Sequence, residues 1–156
     1  MIISGKRALV LGASRGIGRA IARMLAGQGA LLILPWFDWP DSVTTLEQEF
    51  GGLESNNLLL RTDVRKPEEV ADLMRAIEMR YGGLEILVNN IERGGMPILH
   101  GGYHREVNRG QWQLEMDTTL HAKWLLFEQA LPLLRRSGES TVVNITSIAG
   151  VIGRSG

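Results

Sequence analysis

The stretch Gly12-Ala13-Ser14-Arg15-Gly16-Ile17-Gly18 follows an apolar run, Ala8-Leu9-Val10-Leu11, and leads straight into a helical pattern. A strand, a tight glycine turn and a helix N-terminus in that order form a cradle for a pyrophosphate. Glycines let the backbone come close to the anion, and the unpaired N–H groups and dipole of the helix start attract it. The spacing is G-x-x-x-G-x-G rather than the more familiar G-x-G-x-x-G. The same residues 12–16 also spell G-x-S-x-G, the strand-to-helix elbow that presents a hydrolase nucleophile, which would fall on Ser14. That chemistry needs an acid and a histidine in order downstream, and His100, His104 and His121 have no convincing acid partner by sequence. His100 and His104 are four apart, but Gly101-Gly102 lies between them and neither cysteine nor a third ligand is near, so they read as loop histidines and no metal site is expected.

Strand-like apolar runs alternate with amphipathic helical patterns along the chain. Strands are expected at 7–11, 30–34, 57–61, 84–88 and 141–145. The runs at 8–11, 31–34 and 58–60 are apolar without alternation, as in strands buried on both faces of a parallel sheet. Ile17, Ala20, Ile21, Met24 and Leu25 make one helical stripe, ended by Gly27 and Gly29. Val70, Leu73, Met74, Ile77 and Tyr81 make another, opened by Pro67 with Glu68 and Glu69 and closed by Gly82-Gly83. A long helix is expected over 111–135, with Met116, Leu120, Trp124, Phe127, Leu131 and Leu134 on one face and a kink at Pro132. Residues 41–50 read as a weaker helix and 94–110 as a long glycine-rich loop. The β-α alternation predicts a single α/β domain, a doubly wound parallel sheet with right-handed crossovers.

Composition sets bounds on partners. With 44% hydrophobic and 22% charged residues the chain is an ordinary globular sequence, and 17 basic against 17 acidic residues give a net charge of zero. That balance argues against nucleic acid or an anionic membrane surface as the main partner. Cysteine is absent, which suits a reducing cytoplasm. The N-terminal residues read straight into the first strand, so no signal peptide is expected, and the apolar runs are too short for a bilayer-spanning helix to be expected.

Four motifs in register with five strands carry a family resemblance. Gly12-x-x-x-Gly16-Ile17-Gly18, Asp63-Val64, Val88-Asn89-Asn90 and Val142-Val143-Asn144-Ile145-Thr146-Ser147 resemble the short-chain dehydrogenases/reductases in order and spacing over nearly all of 6–150. The resemblance implies a Rossmann fold and a cofactor, NAD or NADP. It implies hydride transfer between nicotinamide and a small-molecule carbonyl or alcohol. Gly12, Ser14, Arg15, Gly16, Ile17 and Gly18 would surround the pyrophosphate and adenosine ribose. Asp63 would accept a hydrogen bond from the adenine amino group, with Val64 beside it, and Asn89 and Asn90 would end the fourth strand next to the cofactor. Ser147 matches the serine that orients the substrate carbonyl.

The sequence also departs from the family pattern. Ile91 and Glu92 follow the asparagines where the family has alanine and glycine. The long-helix asparagine, placed by its interval from Trp112, falls on Thr119, so a hydroxyl stands in the catalytic set in place of an amide. At the end of the second strand an acid would select NAD and a base NADP, but Trp36 and Phe37 stand there. Trp36 offers a face either for stacking on adenine or for plain packing with Trp39 and Pro40, Asp38 lies at the generic spacing for a ribose contact, Arg15 leans towards NADP, and the preference stays open. The family's Tyr-x-x-x-Lys follows its serine, whereas residues 148–156 hold neither tyrosine nor lysine. The expectation is a chain that lacks the family's last strands and, alone, binds dinucleotide without turnover. The alternative is a binding scaffold or redox sensor of the same fold. The family also pairs its long helix with a second copy, which implies a dimer or tetramer.

Overall fold

A computed structural model describes residues 2–52, 55–91 and 106–152. The chain runs β1 (Arg7–Leu11), α1 (Gly16–Gly27), β2 (Leu31–Trp36), α2 (Pro40–Phe50), β3 (Leu58–Arg61), α3 (Pro67–Tyr81), β4 (Ile86–Asn89), α4 (Glu106–Glu115), a π-helical stretch (Met116–His121), α5 (Ala122–Arg136), β5 (Thr141–Asn144) and α6 (Ala149–Ile152). All strand pairings are parallel, in the order β3-β2-β1-β4-β5. This is the expected doubly wound sheet, with the strand order reversing between β1 and β4.

Alternate residues of each strand point to opposite faces, and the core divides accordingly. Ala8, Val10, Leu32, Leu34, Ile86 and Val88 pack with Ala22 of α1 and with Leu46 and Phe50 of α2. Leu9, Leu11, Ile33 and Leu87 pack on the other face with α3 (Val70, Leu73, Met74, Ile77) and α5 (Ala122, Leu125, Leu126, Ala130, Leu133). Each such leucine or isoleucine contributes about 1.5–3 kcal/mol by leaving water, so the helices are held to the sheet by these two layers.

Several sequence expectations shift. Leu58–Arg61 is only half-buried because β3 is an edge strand, so its apolar run does not mark burial on both faces. In α1 the inner residues are Gly18, Arg19 and Ala22, whereas Ile17 and Met24 of the expected stripe are exposed. The long helix begins five residues before its expected start, takes Glu106 to Gly110 out of the expected loop, and is interrupted by the π-helical stretch. The inner face of α5 also differs from the expected stripe. Leu125, Leu126, Ala130, Leu133 and Leu134 face the core, while Leu120, Trp124 and Phe127 face outward. Pro132 lies within α5, which continues to Arg136. No helix among the described residues is long and apolar enough to cross a membrane.

The end of the sheet away from the glycine turn is pinned by an ion pair. The Glu85 carboxylate accepts the Arg7 backbone N–H at 2.8 Å and Nε at 2.7 Å and pairs with Nη2. Arg7 Nη1 donates to the Tyr81 carbonyl at 2.6 Å. Burial works against the charge on Glu85, but the hydrogen bonds and charge of Arg7 outweigh it and hold the carboxyl below its usual pKa.

Candidate functional site

Parallel sheets open a crevice at the carboxyl ends of their strands where the order reverses. Here a cleft of about 940 Å³ occupies that place. Its walls come from the β1–α1 turn, the segment after β2, the end of β3, Asn90 and Ile91 after β4, the π-helical stretch, and Ile145, Thr146 and Ser147 after β5.

The glycine turn is shaped by close approach on one side and open space on the other. A Cβ on Gly12 would overlap the Asn90 carbonyl, and one on Gly18 would overlap the Gly12 carbonyl, so the turn is pressed against the end of β4. Gly12 and Gly16 both have positive φ, +75° and +54°. A Cβ on Gly16 would meet nothing within 4 Å, and Gly16 lines the cleft, which leaves backbone room for a phosphate there. Helix α1 starts at Gly16 with no side-chain cap, leaving its first N–H groups for an anion. The chain thus fits a dinucleotide pyrophosphate at this turn.

Arg19 supports the turn from inside. Its side chain is 9% exposed. It donates from Nε to the Ala13 carbonyl at 3.3 Å, from Nη2 to the carbonyls of Ser14 (2.9 Å) and Ser42 (2.8 Å), and from Nη1 to Glu49 at 3.1 Å. The sequence reading missed this residue; its only signal was an arginine three positions before Ala22, on the face that α1 buries.

Aromatic and cationic groups crowd the far end of the cleft. The Arg15 guanidinium lies 3.9 Å from the centre of the Trp39 ring. Arg61 and Arg65 lie 4.8 and 5.2 Å from the Phe37 ring. Trp36, Phe37, Asp38 and Trp39 line this end with Asp63, Val64 and Arg65. Both Asp63 carboxylate oxygens are held by Arg65, with Nε donating at 2.8 Å, Nη2 at 2.7 Å and the backbone N–H at 3.1 Å. The Arg65 side-chain hydrogen bonds keep the Asp63 carboxyl below its usual pKa against the opposing effect of burial. The Asp63 N–H in turn donates to Glu69 at 2.6 Å.

At the other end Thr118, Thr119, Lys123, Thr146 and Ser147 share the cleft. Ser147 is exposed there. The Thr119 hydroxyl donates to the Glu115 carbonyl of its own helix, while the buried Thr118 Oγ1 has no hydrogen-bond partner among the described residues. Lys123 Nζ donates to the Ile145 carbonyl at 3.4 Å.

The structure therefore brings Gly12, Ser14, Arg15, Gly16, Ile17, Trp36, Asp63, Val64, Asn90, Thr119 and Ser147 to one cleft. Gly18 lies beneath Gly12, and Asn89 is buried in the sheet, donating to Asn144 Oδ1 at 2.9 Å, so neither lines it. His121 stacks on Trp124 with ring centres 6.1 Å apart and does not line the cleft that Ser14 lines. Glu92, His100 and His104 lie outside the described residues.

Comparison with known proteins agrees with this geometry. The family model described as short chain dehydrogenase matches residues 6–156. A D-beta-hydroxybutyrate dehydrogenase of Rhizobium meliloti is 34% identical over 94% of the chain, which covers 55% of that protein. A 3-oxoacyl-acyl-carrier-protein reductase of Vibrio cholerae is 31% identical over the whole chain, which covers 60% of it. The structure of a short chain dehydrogenase from Pseudomonas syringae, described there as putative, superposes with a TM-score of 0.82 at 24% identity, covering 99% of this chain and 63% of that one. The chain thus spans little more than half the length of the curated relatives it matches.

Proposed function

The chain belongs to the short chain dehydrogenases, and from that membership we propose that it is the dinucleotide-binding part of an NAD(P)-dependent oxidoreductase acting on a small-molecule carbonyl or alcohol. The observation that supports this most is the single cleft uniting the glycine turn, Asp63 and Ser147. In this reading the N–H groups of the turn and of the α1 N-terminus hold the pyrophosphate. Asp63 accepts the adenine amino group, and Trp36 packs against the base. Ser147 donates its hydroxyl to the substrate oxygen and fixes the carbonyl for attack. The bound cofactor supplies or takes the hydride. The acid–base pair expected from the resemblance, Tyr-x-x-x-Lys, is not among residues 148–156, so residues 1–156 by themselves are expected to bind dinucleotide without turnover.

One observation favours a second reading. The Thr119 hydroxyl is committed to the Glu115 carbonyl, as a residue in a scaffold or redox sensor could be without loss. A cysteine-free chain suits a cytoplasmic setting, and a homo-oligomer through the outward face of α5 completes the proposal. Calorimetric titration of the chain with NADH and NADPH tests the binding claim, and saturable binding of at least one is expected. Failure of both to bind would remove the proposal. In the complete protein, Ser147→Ala should lower turnover about 100-fold while leaving dinucleotide affinity unchanged; unchanged turnover would leave the scaffold reading.

A further inference from the structure

The strongest feature that the dinucleotide reading does not use is the buried guanidinium under the glycine turn. Arg19 is the one buried arginine among the described residues, and three of its four hydrogen bonds go to backbone carbonyls. Two of those carbonyls, Ala13 and Ser14, belong to consecutive peptide groups of the turn. In a trans peptide the carbonyl and the following N–H point in opposite directions. A carbonyl drawn inward at Ala13 therefore turns the Ser14 N–H outward, and one drawn inward at Ser14 does the same for Arg15.

We propose that Arg19 is the positioning residue of the cradle: it grips the turn from beneath and aims the Ser14 and Arg15 N–H groups at a pyrophosphate. The grip extends further. The carbonyl of Ser42 and the carboxylate of Glu49 both belong to α2, so the guanidinium ties the phosphate turn to that helix. Residue Trp39, immediately before α2, carries the Arg15 side chain on its ring. Pyrophosphate and adenosine ends of the cleft are thereby fixed to one another through a group that touches neither. Lysine could not do this, because it lacks the planar fork of donors needed to hold several separated acceptors.

The proposal rests on the dinucleotide reading, and the test separates the two. The full chain and Arg19→Lys are titrated calorimetrically with ADP-ribose, which carries the pyrophosphate, and with adenosine, which does not. Arg19→Lys is expected to weaken ADP-ribose about ten-fold, equivalent to roughly 1.4 kcal/mol, and to change adenosine affinity by less than about two-fold. An equal loss for both ligands, or no loss for either, would overturn the positioning role. Absence of ADP-ribose binding by the unaltered chain would instead strike the dinucleotide reading. Should Arg19→Lys fail to fold, amide spectra of the unaltered chain decide. The Ser14 and Arg15 amide protons should move downfield on adding ADP-ribose, and the proposal fails if they stay in place while other cleft amides move.

Discussion

Asn89, at the end of β4, donates from Nδ2 to the Oδ1 of Asn144 at the end of β5, 2.9 Å away. Asn89 is 2% exposed and its own Oδ1 has no partner among the described residues, whereas Asn144 is exposed. The bond thus satisfies the one paired polar atom of a buried amide. Asn144→Ala should cost about 1–2 kcal/mol, because it leaves that amide without any partner. Ordinary surface substitutions stay within about 0.5 kcal/mol. Urea unfolding measures the difference, and a neutral result would show that the amide finds another partner.

Two of the motif glycines, Gly16 and Gly18, should fail in different ways. Gly18→Ala forces a Cβ into the Gly12 backbone and is expected to cost about 2–3 kcal/mol of stability through overpacking. Gly16→Ala meets no atom and should cost only the left-handed backbone penalty of roughly 1–2 kcal/mol. Its methyl nevertheless occupies the phosphate side of the turn, so ADP-ribose affinity should fall more for Gly16→Ala than its melting temperature suggests. Thermal melts and titrations of the pair distinguish fold from ligand.

Glu85 predicts an acid limb of stability. Its folded pKa lies below the ordinary value of 4.5. Its contribution is therefore complete above about pH 4.5 and is lost as pH falls through the folded value. Glu85→Gln should cost about 2 kcal/mol at neutral pH, since Arg7 loses a charged partner that is 6% exposed. The variant should also flatten the pH dependence below 4.5. Denaturant midpoints across that range supply the check, and parallel curves for both proteins would contradict it.

Arg65 and adenine compete for the same carboxylate if Asp63 is the adenine acceptor. The ion pair is partly exposed, with side-chain exposures of 29% and 5%, so its loss should be modest, about 0.2–1 kcal/mol. Arg65→Ala is expected to tighten adenosine binding by up to about five-fold. Asp63→Asn should weaken it. Calorimetry reads both, and weaker binding by Arg65→Ala would mean that the guanidinium stacks on the base instead.

The outward face of α5 tests the oligomer proposal. Trp124 and Phe127 of α5 are 55% and 37% exposed, and Leu120 of the preceding π-helical stretch is 60% exposed beside them in the chain. If this face pairs with a second copy, Trp124→Glu with Phe127→Glu should convert a dimer or tetramer to monomer by light scattering, with little effect on stability. A monomeric unaltered protein would remove the pairing.

Much of this molecule is legible from residue order, for physical reasons that also mark where legibility ends. The β1 strand and α3 have the expected bounds because each carries both a periodic interior and chemical punctuation: Pro67 opens α3 and Gly82, at φ +75°, closes it. The β2 strand runs two residues past its expected end, through Pro35 and Trp36, because those residues pair with β3 beyond the point where β1 has turned away. The half-burial of Leu58–Arg61 is a property of strand order, which no local run of leucines encodes. The outward turn of Trp124 and Phe127 is not legible because α5 carries apolar residues on two faces, and a 3.6-residue period alone does not say which of them meets the sheet. Among the cleft residues, the glycines, Asp63 and Ser147 have motif spacing. Arg19 and Arg65 act through three-dimensional proximity to carbonyls and a carboxylate, which no motif spacing marks beyond the place of Arg19 one turn before Ala22.

The central place of β1 has a consequence for how the chain is made. Its first residue, Arg7, closes on Glu85, 78 residues later, and its inner edge pairs with β4. At ~5–20 residues per second, a ribosome takes roughly 4–16 s to produce that partner. Throughout this interval the nascent β1 has only β2 available at its side, with one hydrogen-bonding edge open. Synthesis of α3, which packs beneath the future β4, fills the last part of the wait. Anything that slowed elongation between α3 and β4 would prolong the exposure of β1, whose residues Ala8 to Leu11 are all buried in the finished sheet, and chaperone engagement should concentrate there.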